Sequence, residues 1–337
     1  MKVSEQTAIG SRAQRGAQWL VRFQHSDGSL RGAKSINEYY KAPFSLAVTG
    51  HNGEADRMLD YVARTYLKSD GDLDGTGCVW FEDYRIYPHS WLIIAAIMRG
   101  RFEMVRSILR FLITYNDENT GGFFLTTQGQ RQRKGHQEIM TTGLAGLACL
   151  WAGRLDIAER TGRWMERLYD AQPNLSKGLY FVSDNQGQLV TTFSKEDARN
   201  HMVDATELRQ RYYQYGVCAV FLSSLFGATG EERWLKLAHK FLSASKYCRE
   251  DVYRQPQSGK IGWGAAWTYR LSRDLEDRKI AEAVAEGLRA LQNEDGWWSS
   301  LSIYQRENAA TIEPAIDVTG ELVGLLGCME LALEFSS

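Results

Sequence analysis

Apolar positions recur every three or four residues over most of the chain, which is the periodicity of amphipathic helices. Two kinds of helical stretch alternate. One kind has a charged face and is predicted at 8–24, 53–67, 102–115, 155–170, 231–246 and 277–292. The other kind is mostly apolar, rich in small residues, and is predicted at 36–49, 87–99, 136–152, 206–227, 261–272 and 312–334. The pattern therefore indicates six outer and six inner helices.

A repeated sequence follows the outer helices. Its clearest copies are QHSDGSL at 24–30 and QNEDGWW at 292–298, each a Gln, two residues, Asp-Gly and a bulky side chain. Weaker copies lie within 63–75, 110–124, 165–181 and 246–264. Short turns rich in Gly and charge follow the inner helices instead. This alternation is typical of αα-hairpin repeats, whose apolar faces are covered by the neighbouring repeats.

Six hairpins account for the whole chain, so we predict one all-α domain over residues 1–337, a closed α/α toroid, or (α/α)6 barrel. The alternative is an open solenoid, which needs polar capping repeats at both ends. The last helix, TGELVGLLGCMELALEF, is strongly apolar and favours closure. All long loops then share one face with the N-termini of the inner helices, which favour an anion or metal-binding carboxylates. We predict the functional site at this mouth.

Composition narrows the class of protein. The chain has 40 Lys plus Arg against 41 Asp plus Glu, a balance that argues against a nucleic-acid binder. No stretch reaches the roughly 18 apolar residues of a membrane helix, and residues 1–16 do not resemble a signal peptide. The five cysteines are scattered, which argues against a disulfide framework or a zinc site. We expect a cytoplasmic protein that binds a small molecule, with its oligomeric state left open. The 10 Trp, 16 Tyr and 13 Phe suit either a core or a cavity wall.

Four acidic residues are candidate metal ligands. Asp72 and Asp74 lie in SDGDLDG, which begins like a calcium loop but has Phe at its twelfth position, so a solvated turn is the alternative. Asp204 and Glu207 are three residues apart and would share one face of a helical turn. They could equally form a capping box at the start of the fourth inner helix. Magnesium is the metal expected.

A second carboxylate pair and a lysine point to the lumen. Asp317 and Glu321 lie one turn apart in an apolar helix, which is costly unless they face a polar cavity. Lys260, in QSGKIGWG, opens a Gly-rich inner helix and suits a phosphate-like anion, unless it is a surface lysine. His89 begins another inner helix and could act as an acid, a base or a structural residue. The candidate catalytic residues are therefore Lys260, Asp204, Glu207, Asp317, Glu321 and His89.

Aromatic and basic side chains near the same helix starts are candidates for binding the substrate. Their rings could stack on sugars, shield a carbocation or belong to the core. These candidates are Tyr84, Arg85, Tyr87, Trp91, Arg211, Tyr212, Tyr215, Trp263, Trp267 and Trp298. The mouth is also predicted to contain Tyr40, Lys41, Trp80, His136, Glu138, Tyr304 and Glu313.

The repeat Gln-x-x-Asp-Gly, in QHSDGSL and QNEDGWW, resembles the repeats of terpenoid cyclases and protein prenyltransferases, which are α/α toroids. The DxDD and DDxxD motifs of that superfamily are absent, and NDENT at 116–120 departs from the NSE pattern. The resemblance therefore implies an atypical class I sesquiterpene cyclase, in which a lysine and an unusual magnesium site hold the diphosphate. ATGEERWLKLAHKFL and GLYFVSDNQGQLVT are instead similar to six-hairpin carbohydrate enzymes, including N-acylglucosamine 2-epimerase-like proteins.

Three functions follow as hypotheses. The first is a cyclase in which Lys260, Arg211 and magnesium bind a prenyl diphosphate and an aromatic cavity holds the allylic cation. The second is a sugar epimerase, glycoside hydrolase or lyase with an acid and a base among His89, His136, Glu82, Asp204 and Glu207. The third is a non-catalytic toroid that binds a peptide or a small molecule.

Overall fold

Twelve α-helices form two concentric layers in the computed structural model, which describes residues 3–126, 135–299 and 312–334. The outer helices are α1 (Val3–Val21), α3 (Asn52–Thr65), α5 (Phe102–Ile113), α7 (Leu155–Asp170), α9 (Glu232–Ala244) and α11 (Leu275–Leu291). The inner helices are α2 (Ala42–Val48), α4 (Ile86–Met98), α6 (Ile139–Trp151), α8 (Tyr213–Thr229), α10 (Gly259–Ser272) and α12 (Ile312–Glu334). The predicted alternation of outer and inner helices is confirmed.

The ring is closed. Each inner helix packs against the next one along the chain, and α12 packs against α2. The first outer helix, α1, covers α12. Ser45 on α2 joins the two ends, because its hydroxyl donates to the carbonyl of Gly320 and accepts from the amide of Gly324 at 2.9 Å. The closed α/α toroid is therefore the correct architecture, and the open solenoid is not.

A glycine conserves the shape of four copies of the repeated turn, and it follows Asp in three of them and Thr120 in the copy at 110–124. Gly28, Gly71, Gly121 and Gly296 all have φ between 82° and 101°, a left-handed conformation that side chains with a Cβ rarely adopt. A Cβ at each would also overlap the backbone of the neighbouring outer helix, at Arg57, Ser107, Arg160 and Arg15 respectively. The last of these contacts lies on α1. The turn thus packs four of the hairpins against a neighbouring outer helix, and its copy at Gly296 packs the last hairpin against α1.

Burial follows the two layers. In α4 every residue from Ile86 to Ala96 is buried, and α6, α8 and α10 are buried over most of their lengths. The outer helices bury one face only, as in α7, where Ile157, Trp164 and Leu168 are buried and the charged residues are not. Within the described residues, no helix is both long enough and apolar enough to cross a membrane.

Two inner helices begin later than the sequence predicted. The first is preceded by a separate turn, Ile36–Glu38, and starts at Ala42, where Pro43 suits the first turn. The fourth starts at Tyr213, because residues 205–212 form turns rather than helix. The long loop before α8 contains β2 (Gly178–Tyr180), β3 (Val182–Ser183) and β4 (Met202–Asp204), whereas β1 (Gln137–Glu138) lies directly before α6. β1 pairs with β3 and β2 pairs with β4, both antiparallel.

Candidate functional site

A cavity of about 480 Å³ opens at the face that carries the long loops. All six inner helices contribute to it, α12 through its second and third turns and the others through their first turns or the loops that precede them. The lining residues are Tyr40, Lys41, Trp80, Tyr84, Tyr87, Met140, Arg199, Arg211, Tyr213, Pro256, Gln257, Lys260, Asp317, Val318, Glu321 and Leu322. They combine aromatic and aliphatic surface with four cationic side chains and two carboxylates, so the wall is amphiphilic.

Four charged side chains on one side of this wall form a buried network, which we call the lysine–carboxylate quartet. Lys41 Nζ lies 2.9 Å from Asp317 Oδ1 and 2.6 Å from Glu321 Oε2. Lys260 donates to the other carboxylate oxygen of Glu321. Each side chain is at most 13% exposed. The two ammonium and two carboxylate groups cancel, so a ligand meets a neutral cluster there.

Close helix packing sets the position of Lys260. Gly216 on α8 faces the backbone of Lys260 on α10, and a Cβ at Gly216 would overlap its carbonyl group. Gly264, one turn further along α10, is equally close to α8. The small residues of the predicted inner helices thus let α10 approach α8 closely enough to hold Lys260 against α12.

Burial and pairing shift the pKa values of the quartet in opposite directions. Although burial opposes ionisation, Lys260 and Lys41 lower the pKa of Glu321 to about 2. Burial also opposes the charge of Lys41, but Asp317 and Glu321 raise its pKa well above the ordinary value. Burial raises the pKa of Asp317 and lowers that of Lys260. Glu321 is therefore the firmly ionised carboxylate of the pair, and Lys260 is the lysine that gives up its proton more readily.

Aromatic rings surround the two lysines. Lys41 Nζ lies 4.9 Å from the centre of the Tyr40 ring, and Lys260 Nζ lies 5.8 Å from Tyr87 and 5.4 Å from Tyr213. Below them Trp91 and Trp263 stack with ring centres 5.8 Å apart. The ring faces therefore already stabilise cationic groups at this position.

Two arginines lie at another part of the cavity wall. Arg211 donates from Nη1 to the Tyr84 hydroxyl at 2.9 Å and from Nη2 to Asn200 Oδ1 at 2.7 Å. Arg199 donates from Nη2 to the carbonyl of Arg209 at 2.9 Å. These partners are neutral, which distinguishes the arginines from the paired lysines.

Three of the predicted site residues form a second ionic cluster that does not line the cavity. Asp72 Oδ2 lies 2.6 Å from Arg85 Nη2 and 3.2 Å from Lys68 Nζ, and Asp72 Oδ1 lies 3.4 Å from Nε2 of His89. His89 is fully buried, and its Nδ1 donates to the carbonyl of Arg85 at 2.8 Å. These groups join the loop before α4 to its first turn. The geometry corresponds to the structural alternative for His89.

The carboxylates predicted to bind magnesium do not meet. Asp74 accepts from the amide and hydroxyl of Thr76, and Asp204 accepts from those of Thr206, so both shape turns. The helical face expected for Asp204 and Glu207 does not form, because Asp204 ends β4 and Glu207 lies exposed in the following turn. Asp72 is occupied by basic partners.

The fit to magnesium is correspondingly poor. Over residues 3–126, 135–299 and 312–334, one set of at least three His, Cys, Asp or Glu residues has ligand atoms within 4.8 Å of one another. It consists of His239, Asp274 and Asp277 near the turn between α10 and α11, far along the chain from the named ligands. The four predicted ligands therefore do not suit a shared magnesium ion, and magnesium stays a prediction without assigned ligands.

The remaining predicted aromatic residues lie mainly in the core. Tyr212 donates to Asp251 Oδ1 at 2.6 Å, and Tyr215 contacts Cys248 Sγ at 3.5 Å. Trp298 is fully buried and donates to the carbonyl of Leu288. Trp267 is half-buried beside Arg270. Of the ten predicted substrate-binding residues, the cavity wall contains Tyr84, Tyr87 and Arg211.

The sequence did not predict a binding or catalytic role for several residues of the cavity wall. Tyr40, Lys41 and Trp80 were expected at the mouth but were not assigned a site role. The signal for Lys41 was a charge directly before a helix that begins Ala-Pro-Phe. Arg199, Tyr213 and Gln257 gave no such signal, because they come from loops whose course is set by tertiary contacts. Tyr304 and the side chain of Glu313 lie outside the described residues.

Comparison with known proteins confirms the two resemblances at the level of the fold. A crystal structure of D-mannose isomerase is similar with a TM-score of 0.73, at 14% identity, over 99% of this chain and 100% of that one. An α-1,6-mannanase of family GH76 from Salegentibacter sp. HEL1_6, in complex with α-1,6-mannotetrose, gives 0.67 at 15% identity over 96% and 99% of the two chains. The type II terpene cyclase MstE from Scytonema, with its substrate geranylgeranyl dihydroxybenzoate, gives 0.61 at 11% over 98% and 100%. No family model and no curated protein sequence matches the chain.

Proposed function

We propose that the protein is an enzyme that cyclises an isoprenoid carrying a diphosphate or a related anionic group. The observation that carries this proposal is the composition of the cavity wall. Its four cations outnumber its two carboxylates, and the rest of the wall is largely aromatic and aliphatic. A ligand with an anionic head and an apolar body matches both features. The fold similarity to a type II terpene cyclase supports cyclisation of an isoprenoid, while the anionic head group of the ligand is inferred from the cavity wall alone.

The cavity residues suit the charge changes of such a reaction. When the allylic carbon–oxygen bond breaks, its electron pair leaves with the diphosphate, and cationic side chains stabilise the departing anion. The positive charge left on the carbon chain lies among the rings of Tyr40, Trp80 and Tyr87. Glu321, which its two lysines keep ionised, adds a fixed negative charge on the same wall. Loss of a proton from the cyclised chain completes the reaction.

Turnover tests the proposal. We would incubate the protein with geranyl, farnesyl and geranylgeranyl diphosphate, with and without magnesium, and measure both released diphosphate and cyclic products. We expect at least one substrate to give a cyclic product. Lys260→Met should reduce its formation by about 100-fold, because Glu321 loses a partner. Lys279→Met, on the exposed face of α11, is the matched control and should keep full activity. Absence of both product and diphosphate release with all three substrates would contradict the proposal.

A sugar isomerase or epimerase is the second candidate. It is favoured by the similarity to D-mannose isomerase over both whole chains and by the contact between Lys260 and Glu321, which could transfer a proton. His89 is too enclosed for the acid–base role first considered. Incubation of a panel of aldoses in heavy water tests this candidate. An isomerase would introduce deuterium at the carbon beside the carbonyl group, and unlabelled sugars throughout would contradict it.

A further inference from the structure

The four cationic side chains of the cavity differ in whether a carboxylate of the protein already pairs with them. Lys41 and Lys260 each contact a carboxylate, so their charges are balanced inside the protein. Among the described residues, no carboxylate lies within ion-pair distance of Arg199 or Arg211 on the cavity wall. An anionic ligand can therefore bind the arginines without breaking an existing ion pair, whereas binding to the lysines would expose a buried carboxylate.

The two arginines are held in place by reciprocal hydrogen bonds. Arg199 donates to the carbonyl of Arg209, and Arg211 donates back to the side chain of Asn200. The two segments, 199–200 and 209–211, are thus joined on the cavity wall. A second anchor fixes the later segment, because the amide of Arg209 donates to Asp251 Oδ2 at 2.8 Å. The Arg211 guanidinium, held by two hydrogen bonds, is therefore pre-organised before a ligand arrives, and the exposed Arg199 is positioned by one.

A buried carboxyl group stands behind Arg211. Glu138 accepts from Gln214 Nε2 at 3.0 Å and from the amide and hydroxyl of Thr141. Burial raises the pKa of Glu138, and the charge of Arg211 opposes that rise. Glu138 is not in ion-pair contact with Arg211, so the guanidinium keeps donor capacity for a ligand. The hydroxyl of Tyr84 and the first turn of α8 lie beside it.

We propose that Arg199 and Arg211, with the Tyr84 hydroxyl, form a subsite for a phosphoryl group, while the lysine–carboxylate quartet faces the remainder of the ligand. A planar guanidinium group can donate two parallel hydrogen bonds to two oxygens of one phosphoryl group, so two arginines suit a phosphate or a diphosphate. The subsite rests on the proposed function in requiring a ligand with an anionic head. The phosphoryl group can come from an isoprenoid diphosphate or from a sugar phosphate, and the test distinguishes these sources.

Binding of inorganic pyrophosphate to the whole chain, measured by calorimetry, tests the subsite independently of turnover. We expect Arg211→Gln and Arg199→Gln each to weaken binding by about 10- to 100-fold, since each removes charge-assisted hydrogen bonds. Arg211→Lys should fall between, because it keeps the charge and loses the planar fork. Arg249→Gln, which removes an exposed arginine paired with Glu250, is the matched control and should bind as the wild type does. Circular dichroism and melting temperature would verify that each variant is folded.

Three binding results would overturn the subsite: no pyrophosphate binding by the wild type at millimolar concentration, wild-type affinity in both glutamine variants, or equal weakening in Arg249→Gln. Competition with a non-hydrolysable farnesyl diphosphate analogue and with mannose 6-phosphate identifies the source of the phosphoryl group. If the wild type binds pyrophosphate but forms no cyclic product, the result contradicts only the proposed function. Retained cyclase activity in both glutamine variants would contradict only the subsite.

Discussion

The protein contains two buried ionic clusters that have similar residue types but different surroundings. In one, Lys41 and Lys260 meet Asp317 and Glu321 on the wall of a cavity. In the other, Asp72 meets Arg85, Lys68 and His89 between a loop and the start of α4. Both contain carboxylates paired with basic groups that lie at or near the start of an inner helix, Lys41 and Lys260 in the first and Arg85 and His89 in the second. Only the first can be reached by a ligand.

The centre of the second cluster, Asp72 and His89, is enclosed by packing, and only Lys68 of its members is largely exposed. The ring of His89 stacks on Phe111 with centres 4.9 Å apart, and the guanidinium of Arg85 lies over Phe81. Its hydrogen bonds connect the loop after α3 to the first turn of α4, as a structural clamp would. A strongly shifted carboxylate is therefore not by itself a sign of function. The comparison teaches that access to a cavity, rather than burial or pKa, separates the candidate site from the clamp.

The largest effect should come from breaking the cavity cluster. Glu321→Gln leaves Lys41 and Lys260 with one carboxylate, so we expect turnover to fall by at least about 100-fold and the unfolding free energy at neutral pH by about 3 kcal/mol. The folded-state pKa is depressed from 4.5 to about 2, so this stabilisation is present above the unfolded value and is lost as pH falls through 2. Denaturant unfolding across this pH range should show the two proteins converging in acid. Glu286→Gln, an exposed control, should follow the wild type throughout.

An intermediate effect, confined to stability, should come from breaking the clamp. Asp72→Asn removes the carboxylate shared by Arg85 and Lys68, so we expect a loss of about 3 kcal/mol in unfolding free energy. Turnover of the folded variant should stay within about twofold of wild type, because no side chain of the clamp lines the cavity. Asp60→Asn, in an exposed pair with Arg101, should cost less than about 1 kcal/mol. A hundredfold loss of turnover at wild-type stability would place Asp72 in the active site after all.

The smallest effect should come from a carboxylate that is neither buried nor at the cavity. Glu207 is exposed in the turn after β4, so we expect Glu207→Ala to change turnover, its magnesium dependence and stability by amounts close to experimental error. Steady-state kinetics over a magnesium titration would measure this. A magnesium requirement that weakens by tenfold or more in this variant would restore Glu207 as a metal ligand and show that the turn rearranges when the metal binds.

Much of the fold could be read from the chain, and less of the site. Outer and inner helices were predictable because periodicity is local, and α7 and α12 match their predicted bounds. The start of α8 was not, because residues 205–212 form turns held by distant contacts, such as the hydrogen bond from the Arg209 amide to Asp251, which the local pattern does not contain. Asp317 and Glu321 were recognisable as charges out of place in an apolar helix. Aromatic residues near the helix starts were also predicted at the mouth, yet the ring of Trp298 fills the core between α1, α11 and α12.

What the sequence determined by itself was the series of six hairpins, because helical periodicity and the repeated turn are local, and the strongly apolar last helix favoured closure of these hairpins into a ring. The structure shows the closure directly, in the packing of α12 against α2 and of α1 against α12. The position of the cavity on the long-loop face follows from that repeat. What only the tertiary structure decided was which charges face the cavity and which clamp a loop. The sequence shows that a charged residue lies in an apolar helix, where its burial is costly. It does not show the partner that offsets this cost, because that partner comes from a segment distant in the chain, as Lys41 does for Asp317.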